Sequence, residues 1–320
     1  MRDINRFIRS HSTVFSILSL IRRSKNKEAV LADNTNLIPF ELDVKENSKA
    51  DSINALFDGL DQYKDYVSVF LHGSWVDDST TPFSDIDDFV IINFEKANND
   101  GVLPSISKIL SKIDMEFCRI DPLQHHGHWG CFSEDLVHYD DSYMPVSVVR
   151  NSFRILGNSK FVGNIDKTRS LLGLRRNIYV TCDNIERLFD LLIRNKINTY
   201  DLKCLVGSFA LMPAFIFQTI GNDLDKKSSI QKADLIFSRD ALFCIEWATD
   251  CRKNWGLITE SYKFRMFARL TNFFRDPFLW RLFSRKFSPR VNSSNLFNLS
   301  INSLKRKHVD CFVSESKRYV

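Results

Sequence analysis

Between residues 66 and 92 the chain carries two apolar, β-type runs around a polar turn, and nothing else in it limits the architecture as much. The first run, 66–72 (Tyr-Val-Ser-Val-Phe-Leu-His), stops abruptly at Gly73 and Ser74. A turn-rich stretch containing Asp77, Thr81 and Pro82 leads to the second, 84–92, which opens Ser-Asp-Ile-Asp-Asp and is apolar from Phe89 to Ile92. β-Branched and aromatic runs bounded by Gly, Pro, Asp and Ser are predicted strands. Beyond about Tyr143 the alternation fades, and 3.6-residue periodicity predicts helices over 178–194, 201–219, 229–253 and 261–274. The chain is therefore read as α+β: an N-terminal mixed sheet with helices, followed by a mainly helical C-terminal domain.

The other predicted elements refine this division. Residues 4–21 fall near helical spacing, but the apolar run 14–21 is short for a bilayer and contains Ser16 and Ser19. It reads as a helix packed on the body or, through its basic flanks, as a weak membrane-surface contact. A polar stretch, 31–49, reads as a linker. Ile53, Leu56, Phe57 and Leu60 predict an amphipathic helix, and Ile106, Ile109, Leu110 and Ile113 another over 104–113. Residues 115–120 read as a third extended segment, leading into a hairpin or bulge around Gly127. Residues 281–320 read as a basic tail of weak periodicity. The expected domains are 1–48 (helix and linker), 49–160 (catalytic) and 161–320 (helical, with the basic tail).

Composition excludes some classes of function. The seven cysteines are unpatterned and include no C-x-x-C pair, so they predict reduced thiols of a cytoplasmic chain rather than a disulfide framework or zinc site. A formal net charge of +5 favours anionic partners without selecting one.

Chemistry concentrates on the second strand. Side chains alternate along a strand, so Asp85 and Asp87 share one face about 7 Å apart along the backbone, while Ile86 faces the interior. Paired carboxylates repel unless a cation lies between them, and hard oxygen ligands select Mg²⁺ or Mn²⁺. Gly73 lets a phosphate approach the backbone, and Ser74 offers a hydroxyl beside it. Ser84, next to Asp85, joins Gly73 and Ser74 as a candidate nucleotide contact. Asp88 faces away from the pair and is expected to be solvated or to cap locally; His72 is expected at the edge of the core.

The series Leu71, His72, Gly73, Ser74, ten residues, then Asp85, Ile86, Asp87 resembles the signature of the DNA polymerase beta-type nucleotidyltransferase superfamily. The strict likeness covers some 20 residues, and the element order extends it to about Phe132. It implies that Gly73 and Ser74 contact nucleotide phosphates and that Asp85 and Asp87 ligate Mg²⁺. It also implies a third carboxylate acting as ligand and base, for which Asp121 is the first candidate and Glu116 the second.

Three further groups remain open at this level. His126 and His128, two apart in an extended segment, read as a metal pair, a base, phosphate contacts, or a hairpin with satisfied rings. Lys226 and Lys227, in the polar stretch 221–230, read as triphosphate contacts at a helix start or as part of a solvated loop capped by Ser228 or Ser229. Basic clusters at Arg175 and Arg176, at 281–290 with Trp280, Phe283 and Phe287, and at 305–308 read as solvated helix faces or as nucleic-acid or membrane contacts. The expected function is transfer of a nucleotide from a nucleoside triphosphate to an acceptor hydroxyl. The alternatives are a catalytically silent nucleotide-binding regulator and a membrane-surface or protein-interaction module.

Overall fold

The computed structural model describes residues 4–11, 36–45, 51–76, 80–291 and 303–320, and its fold is α+β. The apolar stretch 14–21 lies outside the described residues. The central sheet contains β2 (Val67–His72), β3 (Asp87–Ile92), β4 (Trp129–Phe132) and β5 (Phe153–Leu156), in the order β4-β3-β2-β5. β2 and β3 are antiparallel, with His72 opposite Asp87, while β4 runs parallel to β3. The parallel pairing overturns the expected hairpin near Gly127: residues 121–128 return the chain from a helix to the same end of the sheet. A two-stranded sheet joins β1 (Leu37–Asp43) to β6 (Lys160–Asp166). Neither strand is legible in the sequence reading, which has a linker at the first and helical texture around the second. Residues 40–44 do alternate, with Phe40, Leu42 and Val44 buried and Glu41 and Asp43 exposed, but so short a run needs its distant partner to form a strand.

Each face of the central sheet covers a core. Val67, Val69, Leu71, Val90 and Ile92 pack under α1 (Ile4–His11), the helical turns of 51–63 and α2 (Leu103–Ile120). Phe70, Phe89, Ile91 and Cys131 pack against Phe40, Leu42 and Tyr139 on the other side. α1 buries Ile4, Phe7 and Ile8, so its apolar side belongs to the body of the protein.

α2 corrects the expected third strand, because residues 115–120 continue the helix. Ile113 and Phe117 join the sheet core, whereas Met115 and Cys118 join the helical core. A helix end apolar on two sides loses the one-sided stripe by which helices are recognised.

The helical half is built on α3 (Lys167–Ile193), α4 (Thr199–Thr219), α5 (Arg239–Lys253) and α6 (Arg306–Ser316). The expected helix over 229–253 is divided: a short α7 (Lys226–Gln231) ends before α5 begins. α4 is long and apolar enough to span a bilayer; it lies centrally here, with Leu202, Leu205, Val206, Phe209 and Ile216 buried. The described parts of the tail, 281–291 and 303–320, carry more regular structure than expected. α6 buries Val309 and Phe312, and α8 (Pro277–Phe287) buries Trp280 and Arg281. Arg281 forms a bidentate ion pair with Asp114, which removes it from any basic surface.

Candidate active site

The site begins where β2 ends. Gly73 sits at φ +75°, and a Cβ there would lie 3.0 Å from Asp87 Oδ2. The left-handed turn thus allows the carboxylate to pack directly on the backbone, which only glycine permits without strain. Asp85 lies just before β3, Asp87 is its first residue, and Ile86 is buried between them as expected. Gln124 fixes this segment: its Oε1 accepts from the Ile86 amide at 3.1 Å and its Nε2 donates to the Ile86 carbonyl at 2.9 Å. A buried side-chain amide here does the work of a neighbouring strand. Ser84 accepts from the Thr81 amide at 3.0 Å and shapes the turn before Asp85. Ser74 is partly buried beside Gly73, its carbonyl accepting from Thr80 Oγ1 at 3.0 Å.

The loop after α2 brings in the remaining groups. It is held by α8, whose Trp280 Nε1 and Ser284 Oγ donate to the Pro122 carbonyl at 3.0 and 3.1 Å. Arg281 Nε donates to the Gln124 carbonyl at 3.3 Å. Asp121 and Asp85 both accept from Lys203 of α4, the latter at 2.7 Å. Two oxygens bonded to one nitrogen are within about 6 Å of each other, so Asp121 stands beside Asp85. Glu116, the second candidate, instead pairs with Arg119 on the surface side of the helix.

Lys203 is a candidate site residue that the sequence does not single out, as are His125 and Arg252. The Lys203 side chain is 1% exposed, on a mainly apolar helix. A lysine buried among Leu202, Leu205 and Val206 is rare unless it is paired, and that oddity was the available signal. Its two carboxylates outweigh burial and raise its pKa. Burial opposes the charge on Asp85, yet Lys203 and His125 hold it well below the usual carboxylate range. One ammonium does not neutralise two buried carboxylates. Burial, with Asp85 alongside, leaves the Asp121 carboxyl pushed up to about 6.

The histidines divide differently from the expectation. His126 Nε2 lies 2.9 Å from Asp87 Oδ1 and 3.8 Å from Asp85 Oδ2, and His125 Nδ1 lies 3.2 Å from that same Asp85 oxygen. His128 is not at the site. It is buried behind β3, where Nδ1 meets Asp88 Oδ2 at 2.5 Å and Nε2 meets the Leu110 carbonyl at 2.8 Å. Residues 126 and 128 therefore do not share a face. Asp88 is accordingly fully buried rather than solvated, with Oδ1 left without a partner.

Two basic side chains lie close enough to feel the carboxylates. Lys226 opens α7, half-buried, with the charges of Arg252, Asp87, Asp85 and Lys203 acting on it; burial first and then Arg252 lower its pKa to about 8. Arg252 of α5 lies 5.4 Å from the centre of the Phe83 ring, and its buried Nε has no partner. Lys227 is exposed. The cap of α7 is Asp225, whose side chain accepts from the Ser228 amide, in place of the serines expected there.

Burial disfavours the charged form of His126, but its hydrogen bond to Asp87 prevails and raises its pKa to about 9. A raised histidine pKa contributes stability below the free value of about 6.5, and that contribution disappears as pH rises through 9. In metal-free buffer, wild type should therefore exceed His126→Gln in stability by on the order of 2 kcal/mol near pH 6, with the margin closing by pH 9.5. Urea unfolding of both proteins across that range measures it. A margin that does not change with pH would show that the pair is not charged.

No protein-family model, curated protein or solved structure matches this chain. The likeness to the nucleotidyltransferase signature therefore rests on the residues and geometry above.

Proposed function

We propose that the chain is a metal-dependent nucleotidyltransferase that moves a nucleotide from a nucleoside triphosphate to an acceptor hydroxyl. The observation that carries this reading is the convergence of Asp85, Asp87 and Asp121 beside the Gly73 turn, within electrostatic reach of Lys226 and Arg252. Carboxylates for a divalent ion and basic side chains nearby together suit a polyphosphate. The carboxylate oxygens fit a hard divalent ion: Asp85 and Asp87, with Asp121 beside them, would hold Mg²⁺ or Mn²⁺, which supplies charge neutralisation at the phosphates when bound.

The chain's own residues account for the other requirements. Gly73 is exposed, so a phosphate can reach its backbone on the side away from Asp87, and Lys226 and Arg252 carry charge nearby. Asp121, with a carboxyl pKa of about 6, is suited to take the proton of the acceptor hydroxyl near neutrality. The acceptor oxygen forms a bond to the α-phosphorus as the bond to pyrophosphate breaks. Lys226→Ala should weaken triphosphate binding by about 1.5–3 kcal/mol, the worth of one charge-assisted contact, whereas Lys227→Ala should leave it unchanged. Titration calorimetry with a non-hydrolysable triphosphate compares the two, and equal losses would remove Lys226 from the site.

One observation favours a second reading. The Lys203 ammonium lies between Asp85 and Asp121, where a cation would otherwise bridge them. A lysine fixed there would give a nucleotide-binding protein without turnover. Incubation with α-labelled triphosphates, Mg²⁺ or Mn²⁺, and cell extract distinguishes the two. Transfer of label with release of pyrophosphate, absent in Asp87→Asn, is the expected result. Binding without transfer would leave the silent reading.

A further inference from the structure

The two oxygens of Asp85 face different chemistry. Oδ1 is taken by Lys203 at 2.7 Å, while Oδ2 lies 3.2 Å from His125 Nδ1 and 3.8 Å from His126 Nε2. Asp87 Oδ1 completes the group at 2.9 Å from the same His126 nitrogen. Ligand atoms of Asp85, His125 and His126 lie within 4.8 Å of one another. Metal bonds of about 2.0–2.2 Å put neighbouring ligands of a tetrahedral or octahedral shell roughly 3–3.5 Å apart, and the three close separations straddle that spacing.

The imidazoles are also oriented as ligands. His126 Nδ1 meets the Gly127 carbonyl at 3.0 Å. A carbonyl only accepts, so Nδ1 carries a hydrogen, and a metal ion that displaces the proton on Nε2 would meet a lone pair directed at both carboxylates. An outer hydrogen bond of this kind accompanies metal-binding histidines. A simple ion pair needs one imidazole. Here two adjacent residues direct both rings at one carboxylate oxygen, and two imidazolium ions so close would repel.

We propose that Asp85, Asp87, His125 and His126 bind one divalent first-row transition ion, in preference to Mg²⁺. Imidazole nitrogen suits such ions, whereas Mg²⁺ takes oxygen ligands and retains water. Only one ion is bound, because Lys203 occupies the other side of Asp85. The inference rests on the metal site of the transferase reading, but its test reads the metal and not turnover.

The full chain, freed of metal with chelator, is titrated with Mn²⁺ and followed by electron paramagnetic resonance. One bound Mn²⁺ per chain is expected, with nitrogen couplings from imidazole in pulsed spectra. His125→Ala with His126→Ala should abolish those couplings, and roughly 100-fold excess Mg²⁺ should be needed to displace the ion. Bound Mn²⁺ without nitrogen coupling, displacement by equimolar Mg²⁺, or no binding would each overturn the proposal. The wild-type couplings decide the matter even if the double variant fails to fold. Nitrogen-coupled Mn²⁺ in a protein that transfers no label would uphold the site and remove the transferase.

Discussion

Asp87→Asn should lower metal-supported nucleotidyl transfer by at least about a thousandfold, the scale of losing a principal electrostatic contact at a reacting phosphate. Asparagine retains the shape and one acceptor oxygen for His126 but removes the charge that a divalent ion requires. The fold should survive, because the segment is also held by the Gly73 turn and by Gln124. Asp85→Asn should reduce activity equally and stability more. Repulsion between the two aspartates alone would make either change neutral or stabilising. Asp85, however, is partnered by a buried ammonium, and removing it leaves Lys203 half-compensated. Transfer of α-label and urea unfolding of both variants test the two statements. Full turnover by either variant would contradict the metal assignment.

Lys203→Met should have the largest effect on the fold. Methionine fills similar space without charge, leaving Asp85 and Asp121 buried against each other. Removing one partner of a buried ion pair costs about 3–5 kcal/mol, and that loss is expected in chelator at pH 7. The raised pKa of Lys203 means that its contribution persists across the neutral range and disappears only at strongly alkaline pH. Asp121 titrates in the opposite sense. Burial raises its pKa and Lys203 is what holds it down to about 6, so in the variant it rises further, and the deficit of the variant should shrink as pH falls toward 6. Added Mg²⁺ or Mn²⁺ should also restore stability, by taking the place of the lysine between the carboxylates. If the ammonium is what silences the site, transfer of label should rise in Lys203→Met; if the lysine belongs to a working site, transfer should fall. Unfolding curves with and without divalent ion measure the first effect. A variant as stable as wild type in chelator would show that the contact is not formed.

The sequence by itself determined the two strands at 67–72 and 87–92, the turn at Gly73 and the pairing of Asp85 with Asp87 around a buried Ile86. Each depends on near neighbours: alternation with period two, a glycine that accepts positive φ, and charge where an apolar run begins. His72, at the edge of the core, was legible for the same reason. The mainly helical second half was legible too, although not its breaks, because Asp225 caps α7 and the turn after it separates α7 from α5. Tertiary structure decided the rest. Residues 115–120 are helical because two cores claim different sides of α2, which erases the periodic signal. β1 and β6 exist because they found each other across more than a hundred residues. The exchange of His128 for His125 at the site depended on the irregular path of residues 124–128 and on a buried Asp88 that took His128 as its partner. Lys203 reaches Asp85 from 118 positions away. No local pattern specifies which buried charge will meet which, because pairing is set by the packing of whole helices on the sheet, and the electrostatic cost of leaving either charge alone then fixes the contact.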